Sequence, residues 1–168
     1  PAAREKLMVE LINGLAGTEE QIRKRCSYLR MFQSEGQYSV MIVAKSSDEP
    51  LPHGSEESAE LAYLKIRRAA ENVLCVQLEA ATALRGDSVL FLKGAGYPDS
   101  DKALQHRLEM FHQEAEKELG CKINIGIGPA VDSLQRLADS FRLAQRAINH
   151  RLLQGEGHIL YWQDTGGN

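Results

Sequence analysis

Apolar residues along the chain fall into two spacings that alternate, three-to-four and two, and they predict the order of the elements. From Ala3 to Leu15, Leu7, Met8, Leu11, Ile12 and Leu15 recur at helical spacing, and the helix should end near Gly14 or Gly17. Thr18 opens a second helix, since Thr18 with Gln21 fits a capping box; Ile22, Cys26 and Leu29 form its stripe up to about Phe32. Tyr38 to Ala44, YSVMIVA, is nearly continuous in apolar residues and reads as a central strand buried on both faces. Lys45 to Ser55 holds two prolines and a glycine and reads as a loop. A long helix follows from Glu57 to about Gln77, with Ala62, Ile66, Ala69, Ala70 and Val73 on one face.

Between Ala81 and Leu92 the pattern changes to two short strands that meet at Arg85-Gly86-Asp87, a turn that tolerates positive φ, so a hairpin is predicted. Asp99 to Glu118 is the next helix, capped by Asp99 or Ser100, with Leu104, Leu108, Phe111 and Ala115 pointing inward. His106 and His112 on it are six residues apart, on different faces, and are expected at the surface rather than as a metal pair. Lys122 to Gly128, KINIGIG, alternates isoleucine with Asn124, Gly126 and Gly128, a strand whose glycine face something must approach closely. Asp132 with Gln135 is placed to cap a final helix striped by Leu134, Leu137, Ala138, Phe141, Ala144, Ile148 and Leu152. His158 to Trp162 makes the last strand, with Trp162 expected in a core or an interface.

Residues 1–34 thus read as a two-helix preface and 35–168 as the domain proper. In the latter, strand, helix, hairpin, helix, strand is the order of a ferredoxin-like split βαβ sheet in the α/β (α+β) class, extended by one more helix and strand.

Composition narrows the function classes. At 168 residues, 43% hydrophobic and 26% charged, the chain suits one soluble domain, and no apolar run approaches a membrane span. A net charge of -3 disfavours direct binding to duplex nucleic acid, and the cluster Arg23, Lys24, Arg25, Arg30 reads as a solvated helix face. Cys26, Cys75 and Cys121 are odd in number and lack metal spacing, so free thiols in the cytoplasm are expected. The chain opens on Pro1 without a signal-peptide h-region, which fits a segment of a longer cytoplasmic protein.

The ordered set RGDSV at Arg85 to Val89, INIGIG at Ile123 to Gly128 and ADSFRLAQRA at Ala138 to Ala147 resembles the GGDEF family of diguanylate cyclases in a degenerate form. The two N-terminal helices and the ending AQRAINHRLLQGEGHILYW are similar to the middle region of YesN-type response regulators, between a receiver and an AraC-type DNA-binding domain. Related degenerate domains occur in PucR/CdaR-like regulators.

The resemblance implies chemistry that these residues do not supply. The family holds metal ions with carboxylates from the end of its first strand and from the hairpin, to offset triphosphate charge. Here the first strand ends Val43-Ala44-Lys45, with no acid before Asp48, and the hairpin retains Asp87 but has Ser88 and Arg85 around it. The FKxxND stretch has no counterpart, and Val76 to Ala80 reads VQLEA where an inhibitory RxxD would stand. No enzyme activity, cofactor or metal is therefore expected, and residual diguanylate cyclase activity is the least favoured alternative.

What remains at the tip is Arg85, able to pair with an anion, and Gly86, which lets backbone N–H groups approach a phosphate. Arg85, Gly86 and Asp87 are the candidate ligand site, weighed against a plain charged turn, which is favoured. The expected role is a signal-coupling domain whose partners are the receiver and DNA-binding domains of one chain. Homodimer pairing of the helix from Ala3 to Leu15 is expected too, with DNA reached only through the other domain and no membrane contact.

Overall fold

Seven consecutive buried positions explain why the first strand lies at the centre of the sheet: a strand flanked on both sides and covered on both faces has no polar face to offer. In the computed structural model, which describes residues 2–33, 36–45, 56–74, 77–84, 87–94, 101–150 and 157–165, this strand is β1, Gln37–Lys45. The hairpin strands β2, Gln77–Leu84, and β3, Asp87–Gly94, follow, then β4, Ile123–Ile127, and β5, Ile159–Tyr161. The sheet order is β2-β3-β1-β4-β5, antiparallel throughout except for the parallel pair β4 and β5. This is the split βαβ sheet expected from the element order, with the fifth strand added beside β4.

Among the described residues five α-helices cover the sheet: α1, Ala2–Ile12; α2, Glu19–Leu29; α3, Glu56–Leu74; α4, Asp101–Leu119; and α5, Leu137–Asn149. Side chains alternate across β1. Met41 and Val43 join Ile66, Ala70, Leu108, Phe111 and Ile125 in a core under α3 and α4. Tyr38, Val40, Ile42 and Ala44 face the other way, into a second core.

That second core takes in the first two helices. Leu7, Met8, Leu11 and Ile12 of α1 and Ile22 and Cys26 of α2 are buried with β1 and with Leu137, Ala144 and Ile148 of α5. The division at residue 34 is one of sequence, and packing runs across it. Four residues of the α1 stripe, Leu7, Met8, Leu11 and Ile12, are turned into the chain's own sheet, while Leu15 is exposed.

The caps follow the local chemistry. Thr18 and Gln21 form the reciprocal box, Gln21 N donating to Thr18 Oγ1 at 3.2 Å and Thr18 N to Gln21 Oε1 at 2.9 Å. Gly14, at φ +71°, closes α1, and Leu15 N reaches back to Glu10 O at 2.8 Å. Helix α3 ends at Leu74 and β2 starts at Gln77, so the helix predicted to Gln77 stops about one turn early. No glycine or proline marks that stop, and Leu74 to Leu78 is apolar enough to suit either structure. Trp162 lies just past β5, where it begins a short 3-10 turn, half-buried. Among the described residues no helix is long and apolar enough to cross a membrane.

Candidate functional site

The hairpin register locates the predicted site. Leu84 pairs with Asp87, so the two strands are joined through Arg85 and Gly86, which lie outside the described residues. Asp87 is described by its strand position alone, and the predicted anion site rests on that. One residue further, Ser88 pairs with Val43 of β1. The start of β3 at Asp87, the carboxyl end of β1 and the start of β4 therefore share one edge of the sheet, where Ala44 pairs with Asn124 and Lys45 with Ile123.

At this edge β1 ends in Lys45, half-buried, where the expected chemistry wants a carboxylate. No group of three His, Cys, Asp or Glu side chains able to hold a metal ion occurs among the described residues. Cys26 and Cys121 are in no disulfide, and Cys75 lies outside the described residues.

The polar groups that do gather here complete the sheet. Because β5 pairs with β4 only from Ile125 onward, the outward N–H and C=O of Ile123 have no strand partner. Side chains of α4 supply one: Glu116 Oε2 accepts from Ile123 N at 2.9 Å, and His112 Nε2 lies 2.7 Å from Ile123 O. His112, expected at the surface, is thus largely buried and engaged with backbone, because its ring replaces a missing strand; His106 is exposed, as expected. Asn124, fully buried, accepts at Oδ1 from Gly157 N at 2.7 Å and His158 N at 3.2 Å, which ties β5 to β4. These groups are engaged with backbone, and His112 Nε2 also lies 3.5 Å from Glu116 Oε2.

The opposite edge of the sheet holds a network that local sequence patterns did not reveal. The predicted cap of the last helix fails: Asp132 Oδ1 instead accepts from Gln37 Nε2 at 3.1 Å. The helix begins with a 3-10 turn, Leu134–Arg136, whose backbone N–H groups are capped by Glu19 of α2. Leu134 N donates to Glu19 Oε2 at 3.2 Å and Gln135 N to Glu19 Oε1 at 2.7 Å. Arg23 holds the same carboxylate at 3.2 Å. Partial burial works against the charge of Arg23, but its hydrogen bond to Tyr38 and the charge of Glu19 outweigh that and raise its pKa.

Helix α5 also lies against β4 with no room between them. A Cβ on Gly126 would stand 2.5 Å from Ala144 O, and one on Gly128 would overlap Ser140. Ser140, fully buried, donates from Oγ to Pro129 O at 2.7 Å and accepts from Val40 N at 3.0 Å. This is the close approach that the glycine face predicted.

The basic cluster of α2 is only partly a solvated face. Arg25 grips Glu10 of α1 through two bonds of 2.9 and 3.1 Å, Arg23 points to Tyr38 and Glu19, and Lys24 stays in solvent beside Glu20, 3.9 Å away. The backbone of Arg30 adopts the left-handed turn that ends α2.

Together the fold and the two sheet edges define a split βαβ domain of the nucleotide-cyclase kind whose first strand ends in a lysine. The GGDEF-like domain family matches residues 13–150, and the chain belongs to that family. Its fold is similar to the crystal structure of a regulator of polyketide synthase expression from Bifidobacterium adolescentis, with a TM-score of 0.57 and 9% sequence identity. The match covers 90% of this chain and 54% of that one, so the chain spans about half the length of that regulator. No curated protein sequence matches it.

Proposed function

We propose that this GGDEF-like domain is a non-catalytic, cytoplasmic signal-coupling element of a transcription regulator. The observation that carries the reading is the end of β1: Val43-Ala44-Lys45 offers an ammonium where a hard dication needs carboxylates. In the finer form of the proposal, the domain stands between a receiver and an AraC-type DNA-binding domain of a two-component response regulator and works as a homodimer. DNA is contacted through the other domain. The regulator whose fold is similar lends this reading support of the same coarse kind.

The test is incubation of the domain with GTP and Mn²⁺ followed by chromatography for cyclic di-GMP. None is expected; product that disappears in Asp87→Ala would overturn the reading. In a chain that carries the flanking domains, Glu19→Ala should alter the response of DNA binding to the input signal, and an unchanged response would remove α2 from the coupling route.

A second reading, a nucleotide or anion sensor as in PucR/CdaR-like regulators, is favoured by one observation: Lys45 ends β1 at the edge where Arg85 and Gly86 join the hairpin. A cation at this edge suits an anion without metal, and Arg85 would add a second. Thermal-shift titration with GTP and Mg²⁺ to about 100 times Kd should then add about 2.7 kcal/mol. Arg85→Ala should abolish the shift, and a shift that survives this change would move the site elsewhere.

A further inference from the structure

Helices α1 and α2 form an antiparallel pair, since Glu10 meets Arg25 while Arg4, six residues earlier, reaches the backbone of Arg30, five residues later. On the side away from the sheet they leave a groove of about 440 Å³ lined by Ala3, Lys6, Lys24, Arg25, Tyr28 and Leu29. Ala3 and Leu29 make an apolar floor. Tyr28 stands beside it with 88% of its surface exposed, an unusual cost for a large aromatic ring with no evident role in the fold.

The charge of this lining runs against the rest of the chain. Three of its six residues are cations and none is an anion, in a protein of net charge -3. Arg25 is already matched by Glu10, through both carboxylate oxygens. Lys6 feels Glu10 but makes no direct ion pair among the described residues, and the Lys24 contact to Glu20 is long, with both side chains about four-fifths exposed, so solvent screens it. Two ammonium groups, one on each helix, are therefore left to face an occupant.

We infer that this groove is a docking site for an acidic amphipathic helix of a protein partner. A channel between two antiparallel helices has the shape that a third helix fills, with its apolar side chains on the floor and its carboxylates toward the lysines of the rim. Ala3 lets the backbones come close, and Tyr28 offers a flat face for an apolar anchor with its hydroxyl still in water. The surface is remote in sequence from the hairpin edge, and the inference does not depend on whether that edge binds a nucleotide.

The test uses the 168-residue chain and two designed helical peptides of about 15 residues, roughly 22 Å long. One carries glutamates beside a leucine and phenylalanine face; the other has every glutamate replaced by lysine. By fluorescence anisotropy at low salt, the acidic peptide should bind roughly tenfold more tightly than the basic one, as expected for complementary against like charge. The double variant Lys6→Glu/Lys24→Glu should invert that preference, and Tyr28→Ala should weaken the acidic peptide. All three positions are exposed, so a melting temperature equal to that of the unmodified chain confirms that the fold is kept. No binding of the acidic peptide up to about 1 mM, equal affinity for both peptides, or a preference unmoved by the double variant would each overturn the inference. So would binding to phosphatidylserine vesicles with neither peptide bound, which would make the groove a lipid contact.

Discussion

Gly126→Ala should cost about 3 kcal/mol, far more than a glycine-to-alanine change in a strand normally does, and the reason lies in α5. The new Cβ would stand 2.5 Å from Ala144 O, 2.9 Å from Ile148 Cβ and 3.2 Å from Ile148 N. Carbon atoms settle at roughly 3.5 Å from non-bonded neighbours, so the helix would have to retreat by about 1 Å. Two of the three obstacles are main chain and the third is a Cβ, so no rotamer change relieves them. The retreat would also open a gap beneath Leu137, Ala144, Ala147 and Ile148, all fully buried. Overpacking costs about 1–3 kcal/mol in general, and an obstacle that cannot rotate puts this case at the upper end. With an m-value of about 2 kcal/mol/M in urea, the midpoint should fall by about 1.5 M. Gly120→Ala is the control. Gly120 has φ +68° with nothing within 4 Å of a built Cβ, so it should lose only about 1 kcal/mol from backbone strain. If Gly126→Ala costs no more than Gly120→Ala, the close contact of α5 with β4 is not what the glycine serves.

Three further outcomes follow from single contacts. Ser140→Ala leaves the buried Val40 N–H without its acceptor and should cost about 2 kcal/mol, with faster hydrogen exchange at the Val40 amide as the local readout. Glu19→Ala removes the cap from Leu134 and Gln135 and should cost about 1–2 kcal/mol, with exchange at the Gln135 amide accelerated; unchanged exchange would show that the cap is redundant. Hydrogen bonding from Arg25, aided by its charge, holds the Glu10 carboxyl below its ordinary 4.5. A carboxyl with a depressed folded pKa stabilises above its unfolded value and loses that contribution as pH falls through the folded one. The advantage of the unmodified chain over Glu10→Gln, about 0.5–1 kcal/mol at pH 7, should therefore shrink in urea melts as pH falls below 4.5, and an advantage constant with pH would refute the pairing.

Most of the fold was legible because most of its signals are local. The capping box of Thr18 and Gln21, the alternation of Ile123, Ile125 and Ile127 with small residues, and the two short apolar runs that end at Leu84 and restart at Asp87 are each local, and they appear in the structure as a cap, a glycine face and a strand pair. What local pattern could not show is partnership across the chain. Asp132 has the spacing of a cap, but the carboxylate that reaches Leu134 and Gln135 comes from Glu19, 115 residues away in sequence from Leu134. Likewise, His112 looks like any polar helix residue until β5 proves too short to pair with Ile123. The stripe of α1 showed that the helix buries one face but not against what, and most of that face lies on the chain's own sheet. At the site, Lys45 in place of an acid could be read directly, because a missing charge type needs no geometry.

The burial of α1 and α2 changes what coupling would require of this domain. A detachable preface could convey a signal by docking and leaving. Helices that bury Leu7, Met8, Leu11, Ile12, Ile22 and Cys26 against β1 and α5 have no such freedom, since each large side chain is worth about 1.5–3 kcal/mol of burial. A load applied to them must act on the sheet. The Glu19 carboxylate ties α2 to the start of α5, and the contacts at Gly126 and Gly128 leave no slack between α5 and β4. Beyond β4 lies β1, whose far end shares its edge with the hairpin. The coupling proposal thus becomes one of transmission through a stiff path, α2 to α5 to β4 to β1. Loosening any joint on that path should weaken coupling more than it weakens the fold, and substitutions of equal cost on α3, which packs on the other face, should leave coupling intact.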